Sequence, residues 1–225
     1  MKYRALTVSR EFGSGGGRIA NLIAEWMNWK LLDNEIIVQI ARAARVDSAV
    51  VRHYDERVDS WLRRLNEDAI RGVALASGRP LGDEDFFDAQ LMDELTRRII
   101  EDAYAGGNCV IVGRGSQCLL QLRPDVFHAY IYAPFRERAK RLRTRLEPGA
   151  DIEARIRRVD DERSRYIRQH YGKDWRDPHL YNLMISSYED EELTARIIFY
   201  ALTGTAQVSS GSEARSAGQV HQVLP

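Results

Sequence analysis

The segment "VSREFGSGGGRIANLIAEWMNWKLLD", residues 8–33, carries the strongest structural signal in the chain. Its glycine-rich part, residues 13–18, follows the apolar, β-rich run "YRALTVS" at residues 3–9. Apolar residues at helical spacing then extend from about residue 18 to residue 29. The pattern therefore predicts a buried strand, a glycine turn and a helix. Such a turn leaves backbone N–H groups free to bind an anion, and the helix N-terminus adds a favourable dipole.

This glycine turn departs from the common phosphate-binding pattern G-x-x-x-x-G-K-[ST]. Arg18 stands at the lysine position, Phe12 at the first glycine, and Ile19 where a magnesium-holding hydroxyl is usual. An arginine keeps the positive charge and can hold two phosphate oxygens with its planar fork. A turn that only connects strand and helix is the alternative. The candidate phosphate-binding residues are Gly13, Ser14, Gly15, Gly16, Gly17 and Arg18.

Three further apolar runs predict strands: "NCVIVG" at 108–113, "VFHAYIYA" at 126–133 and the shorter "YNLMIS" at 181–186. Helical patterns lie between them, and strands that alternate with helices are typical of a parallel α/β sheet. Ligands of such a sheet bind at the carboxyl ends of its strands. Residues 34–103 are helical in pattern, with apolar residues expected in the core at Phe86, Phe87, Leu91, Met92, Leu95 and Ile99.

Composition limits the class of protein. The 225 residues balance to a net charge of +0, so no global field attracts nucleic acid or an anionic membrane. A nucleic-acid-binding protein is therefore the least favoured hypothesis. No apolar stretch approaches the roughly 20 residues that span a bilayer. The two cysteines and the scattered histidines lack metal-binding spacing, which favours a cytoplasmic protein with free thiols.

The stretch "CVIVGRGSQCLLQLRPDVFHAYIYAPFRERAKRL" at residues 109–142 resembles the corresponding part of bacterial cytidylate kinases. There a strand ends in G-R-D, a proline-aspartate precedes another strand, and an arginine-rich helix follows. Here Gly115 stands in place of that aspartate, after Arg114. Together with "SREFGSGGGRIA" and "WKLLDNEII", the order and spacing are similar to the cytidylate kinase-like branch of the nucleoside monophosphate kinases. The resemblance covers about residues 4–203, and a lysine-free loop is typical of that branch.

This resemblance implies an α/β fold with a P-loop NTPase-like parallel sheet flanked by helices. A single domain would occupy residues 1–205, with a helical acceptor-binding insert at 34–105 and an arginine-rich lid at 151–180. Residues 206–225 form a polar tail expected to be disordered. The implied activity is transfer of a phosphoryl group from ATP, with Mg²⁺, to a nucleoside monophosphate, with CMP or dCMP as the first acceptor to test.

The resemblance also implies roles for individual residues. Arg114 would bind the acceptor phosphate, and Asp33, Asp177 and Asn182 would line the acceptor site. Asn182 stands where many relatives have aspartate. The catalytic arginines would be Arg18, Arg158, Arg163 and Arg165, with Arg138 and Arg141 near the donor nucleotide. Structural ion pairs, solvated charges and turn or helix caps are the alternatives for these residues.

Two further hypotheses stay open at this point. Because the loop lacks both lysine and hydroxyl, the protein could bind a nucleotide as a sensor without catalysis. Because Gly115 and Asn182 alter the acceptor side, the acceptor could also be another nucleotide or a small phosphorylated metabolite. Magnesium would be held by waters, by the substrate phosphates, or by a carboxylate such as Glu11 or Asp33.

Overall fold

The computed structural model describes residues 2–33, 89–147 and 149–204. Most of the predicted insert, including Phe86 and Phe87, lies outside these residues, and so does the tail. The side chains of Leu91, Met92 and Leu95 are likewise outside the description, whereas Ile99 is fully buried as predicted.

Five parallel strands form one sheet in the order β2-β3-β1-β4-β5. Their bounds are β1 Ala5–Arg10, β2 Lys30–Leu32, β3 Cys109–Val112, β4 Val126–Tyr132 and β5 Leu183–Ser186. The parallel sheet and four of its strands confirm the sequence prediction. The short β2 was missed because its three residues form too brief a run to show a strand pattern.

Helices cover the sheet and connect its strands. They are α1 Gly16–Met27, α2 Ala89–Gly106, the short α3 Ser116–Leu119, α4 Phe135–Arg143, α5 Ile152–Tyr171 and α6 Glu191–Thr203, with a 3₁₀ turn at Pro178–Leu180. Two of these helices begin with an aspartate cap. Asp151 accepts from the Ala154 N–H at 3.0 Å, and Asp190 accepts from the Leu193 N–H at 2.8 Å. None of the helices among the described residues is long and apolar enough to cross a bilayer.

The hydrophobic core lies on both faces of the sheet. On one face, Leu6 and Val8 of β1 pack with Ile23 of α1 and Ile198 of α6. On the other face, apolar residues of β3 pack with Ile99 of α2. Because β1 is the central strand and is buried on both sides, its carboxyl end has a fixed position. That end carries the glycine turn.

Candidate functional site

The carboxyl edge of the sheet brings the predicted site residues together. The glycine turn follows β1, Asp33 follows β2, and Arg114 follows β3. Since β2, β3 and β1 are neighbours in the sheet, these three segments lie side by side. Open parallel sheets bind ligands at this edge.

The glycine turn has the geometry of an anion cradle. Gly13 and Gly15 adopt positive φ angles of 82° and 79°, which side chains disfavour. Ser14 is buried, and its hydroxyl donates to the Glu11 carbonyl at 2.9 Å. The first intrahelical bond of α1 runs from the Ile19 N–H to the Gly15 carbonyl at 3.1 Å. The amides of the three residues before Ile19 therefore have no acceptor within the helix and can bind phosphate oxygens.

A buried ion pair stabilises the glycine turn. Arg138 of α4 contacts Asp160 of α5 at 2.5 Å and Glu11 at 3.4 Å, and the side chains of all three residues are at most 12% exposed. Asp160 also accepts from the Phe12 N–H at 2.8 Å. Arg138 thus holds α5 against the turn. Its predicted contact with the donor nucleotide stays a prediction.

Arg141 joins the turn to the end of β5. It donates to the Ser14 carbonyl at 3.1 Å and to the Ser187 carbonyl at 2.5 Å. Beside it lies Glu191, the first residue of α6, whose carboxylate reaches Arg18 at 3.7 Å and Arg141 at 3.9 Å. Glu191 packs so tightly on Gly15 that a Cβ there would overlap its carboxylate. Arg18, which is 65% exposed, therefore points toward an acidic side chain next to the turn.

Next to the turn, a cavity of about 310 Å³ opens between the ends of β1 and β3 and helix α5. Its cationic side chains are Arg10, Arg114 and Arg163. The remaining lining residues are Ser9, Gly113, Gly115, Gln117, Val159, Glu162, Tyr166, Ile167 and Trp175. Arg163 links this cavity to the turn because it donates to the Arg10 carbonyl at 2.7 Å. The structure thus brings two predicted residues, Arg114 and Arg163, into one pocket.

Arg10 was not predicted from the sequence. It is the last residue of β1, and this position at the carboxyl end of a central strand was the available signal. Burial, followed by the charge of Arg163, lowers the pKa of Arg10 to about 9, while Asp33 raises it. The predicted acceptor residue Asp33 therefore lies close enough to Arg10 to affect its charge. Gln117 was also missed, since nothing in its local sequence indicates a buried amide.

The backbone around Arg114 is strained. Gly113, Arg114 and Gly115 have φ angles of 80°, 54° and 70°, so an arginine occupies the left-handed region that side chains disfavour. Such strain is often found at binding sites. A Cβ on Gly115 would overlap the ring of Tyr171, whose hydroxyl donates to the Arg114 carbonyl at 3.5 Å. The tyrosine ring and the positive φ angle both favour glycine at this position.

The other predicted residues lie outside this pocket. Arg158 is 67% exposed and pairs within α5 with Glu162 at 3.8 Å, and the exposed Arg165 donates to the Asp161 carbonyl at 3.4 Å. Asp177 caps the 3₁₀ turn by accepting from the His179 N–H at 2.9 Å. Asn182 accepts from the His128 N–H at 2.8 Å at the start of β5. These contacts match the structural alternatives, and the predicted binding roles remain untested.

The described residues around the turn suit phosphate groups better than a bare metal ion. The free amides of the turn and the nearby arginines suit the phosphates. For magnesium, the described residues contain no group of three or more metal-ligating side chains. Glu11 is engaged by Arg138 at 3.4 Å and by Arg176 at 3.6 Å, so it is poorly placed to bind the ion. Magnesium usually keeps several waters and binds to substrate phosphates.

The sheet order, the glycine turn and the arginine pocket define a P-loop-type kinase fold. A family model described as "Cytidylate kinase-like family" matches residues 5–189, and the chain therefore belongs to the cytidylate kinase-like family. Membership in this family supports phosphoryl transfer as the general chemistry.

A solved structure with a TM-score above 0.5 supports this fold. An uncharacterized protein from Eubacterium ventriosum ATCC 27560 is similar with a TM-score of 0.63 and 19% identity, covering 89% of this chain and 99% of that one. A shikimate kinase from Acinetobacter baumannii in complex with shikimate has a TM-score of 0.49 and 13% identity, covering 90% of this chain and 94% of that one. No curated protein matches the chain.

Proposed function

We propose that this protein transfers the γ-phosphoryl group of ATP to a nucleoside monophosphate, with CMP or dCMP as the first acceptor to test. One observation carries the proposal: the glycine turn and the three-arginine cavity open side by side at the carboxyl edge of the sheet. The bond from Arg163 to the Arg10 carbonyl spans the boundary between them. A donor on the turn and an acceptor in the cavity would therefore meet near Arg163.

In this reaction an acceptor phosphate oxygen forms a bond to the γ-phosphorus while the bond to the oxygen of the ADP leaving group breaks. No general base is needed because the acceptor is already an anion. Positioning and charge stabilisation supply most of the catalysis in phosphoryl transfer. The turn amides and Arg18 would hold the donor, Arg114 the acceptor, and Arg163 the transferring group. Magnesium, when bound, would neutralise phosphate charge, and Asp33 after β2 is a candidate carboxylate for holding it.

The experiment is a transfer assay with purified protein, ATP, magnesium and a panel of nucleoside monophosphates, with products separated by chromatography. We expect a diphosphate product from one acceptor. Arg18→Ala and Arg114→Ala, purified identically, should be at least tenfold slower. Activity from contaminating host kinases would instead be equal in all preparations. Arg196→Ala is the control, because Arg196 pairs with Glu192 on the exposed face of α6 at 2.6 Å. A rate equal in all four proteins would contradict the proposal.

A nucleotide sensor is the second candidate, and the pairing of Arg18 with Glu191 favours it. This arginine lies beside the turn, 3.7 Å from the acidic side chain. ATP binding without product from any acceptor would support the sensor over the kinase.

A further inference from the structure

The glycine turn and the loop that carries Arg114 both leave space for the side chain of Arg10. A Cβ on Gly16 would lie 2.5 Å from the Arg10 Cβ, and a Cβ on Gly113 would overlap its guanidinium. The glycine turn and the Arg114 loop thus each place a glycine against the same side chain. Any larger residue at Gly16 or Gly113 would displace Arg10 from the cavity.

The cavity holds more positive than negative charge. Its three guanidinium groups face one lining carboxylate, Glu162, which is 57% exposed at the rim. Asp33 lies near Arg10, and Asp160 lies 4.0 Å from Arg163 but already binds Arg138. Like charges gathered in a partly buried space repel one another. A bound anion would relieve this repulsion.

Polar atoms in the same cavity also lack partners. Gln117 is 1% exposed, and its amide makes no hydrogen bond of ordinary length among the described residues, although the Tyr181 hydroxyl lies close to it. The buried Nε of Arg114 also makes none among these residues. Leaving such groups unpaired costs roughly 1–3 kcal/mol each, and both residues line the cavity.

We propose that Arg10 contacts the acceptor directly: its guanidinium and that of Arg114 bind the phosphate monoester of the acceptor, and Arg163 lies where this phosphate meets the transferring group. This inference rests on the proposed function for the reaction, but binding of the phosphate can be tested without phosphoryl transfer. A phosphate dianion presents three oxygens and up to two charges, which guanidinium forks can satisfy. A carboxylate offers two oxygens and one charge, and a hydroxyl offers no charge.

The test measures thermal unfolding of the full chain with four nucleoside monophosphates, with their uncharged nucleosides, and with inorganic phosphate. We compare the wild type with Arg10→Gln, Arg18→Gln and the exposed control Arg196→Gln. In the wild type and the control, at least one monophosphate should raise Tm while its nucleoside does not. Arg10→Gln should weaken that binding about tenfold or more, because a charge-assisted contact is lost. Its Tm without ligand should equal or exceed that of the wild type.

Two results of the binding test would overturn the inference. The first is a Tm shift by the monophosphate that is unchanged in Arg10→Gln. A Tm shift that is lost only in Arg18→Gln counts the same way, because it would place the phosphate on the donor turn. The second is no monophosphate response in the wild type, or an equal response to the nucleoside. Binding that depends on Arg10 without any transfer would overturn the proposed function alone. Transfer with an unchanged acceptor KM in Arg10→Gln would overturn this inference alone.

Discussion

The buried pair of Arg138 and Asp160 gives the sharpest stability prediction, with Asp160→Asn as the perturbation. Asparagine keeps the shape, and its Oδ1 can still accept from the Phe12 N–H. Its Nδ2 then faces the Arg138 guanidinium, so the change removes both the charge and the hydrogen bond from Arg138. Removing one partner of a buried ion pair costs about 3–5 kcal/mol because the other charge is left uncompensated. Here Glu11 remains 3.4 Å from Arg138 and lessens that cost. We therefore expect a loss of about 2–4 kcal/mol in the free energy of unfolding.

Equilibrium unfolding in urea measures this loss. With an m-value of about 2–3 kcal/mol/M, the midpoint should fall by about 1 M while m stays constant. Asp161→Asn is the matched control, since Asp161 is the next residue of α5 and is exposed. It should change stability by less than about 0.5 kcal/mol. If the two variants unfold at the same urea concentration, the pair does not hold α5 to the turn.

A double-mutant cycle adds a second check on the same pair. Arg138→Met alone should also destabilise the protein, because it leaves Asp160 and Glu11 without their buried cation. The double variant Arg138→Met with Asp160→Asn should lose less than the sum of the two single losses, by about 1 kcal/mol or more. Strict additivity would show that the two side chains act independently.

Three further predictions concern the backbone, the donor side and pH. Gly115→Ala should destabilise the protein by about 1–3 kcal/mol more than Gly172→Ala. The two φ angles, 70° and 65°, are alike, but only the Cβ at position 115 would meet the ring of Tyr171. Urea midpoints that fall equally in both variants would refute this reasoning. Glu191→Gln should tighten ATP binding about two- to fivefold, because it removes a carboxylate that competes weakly with ATP for the arginines, whereas Glu192→Gln should leave ATP binding unchanged. Calorimetric titration measures both affinities, and weaker ATP binding in Glu191→Gln would refute the competition. Burial lowers the pKa of His128 to about 4, below its unfolded value of 6.5. The unfolded chain therefore binds a proton first as pH falls, and up to about 3 kcal/mol of stability present above pH 6.5 is lost toward pH 4. Urea unfolding of the wild type and His128→Asn should show a pH dependence between 6.5 and 4 that is shallower in the variant, and equal slopes would refute the role of this histidine.

Local patterns in the sequence determined the scaffold. An apolar run, a glycine turn and a helical period are each encoded within a few residues, so β1, the turn and α1 could be predicted without any tertiary contact. Because ligands of a parallel sheet bind at the carboxyl ends of its strands, Arg114, which follows a predicted strand, could be placed at the candidate site. The resemblance to cytidylate kinases named the family that the comparison confirmed.

Only the tertiary structure decided which arginines share the pocket. Arg10 and Arg163 are separated by 153 residues, yet they meet in one hydrogen bond. The pairing of Arg138 with Asp160 removes that arginine from the open surface, while Arg158, on the same helix as Arg163, turns toward solvent. Residue type and spacing fix which face of its own helix an arginine occupies. Whether that face meets a carboxylate, a cavity or water depends on packing between distant segments, which no local pattern encodes.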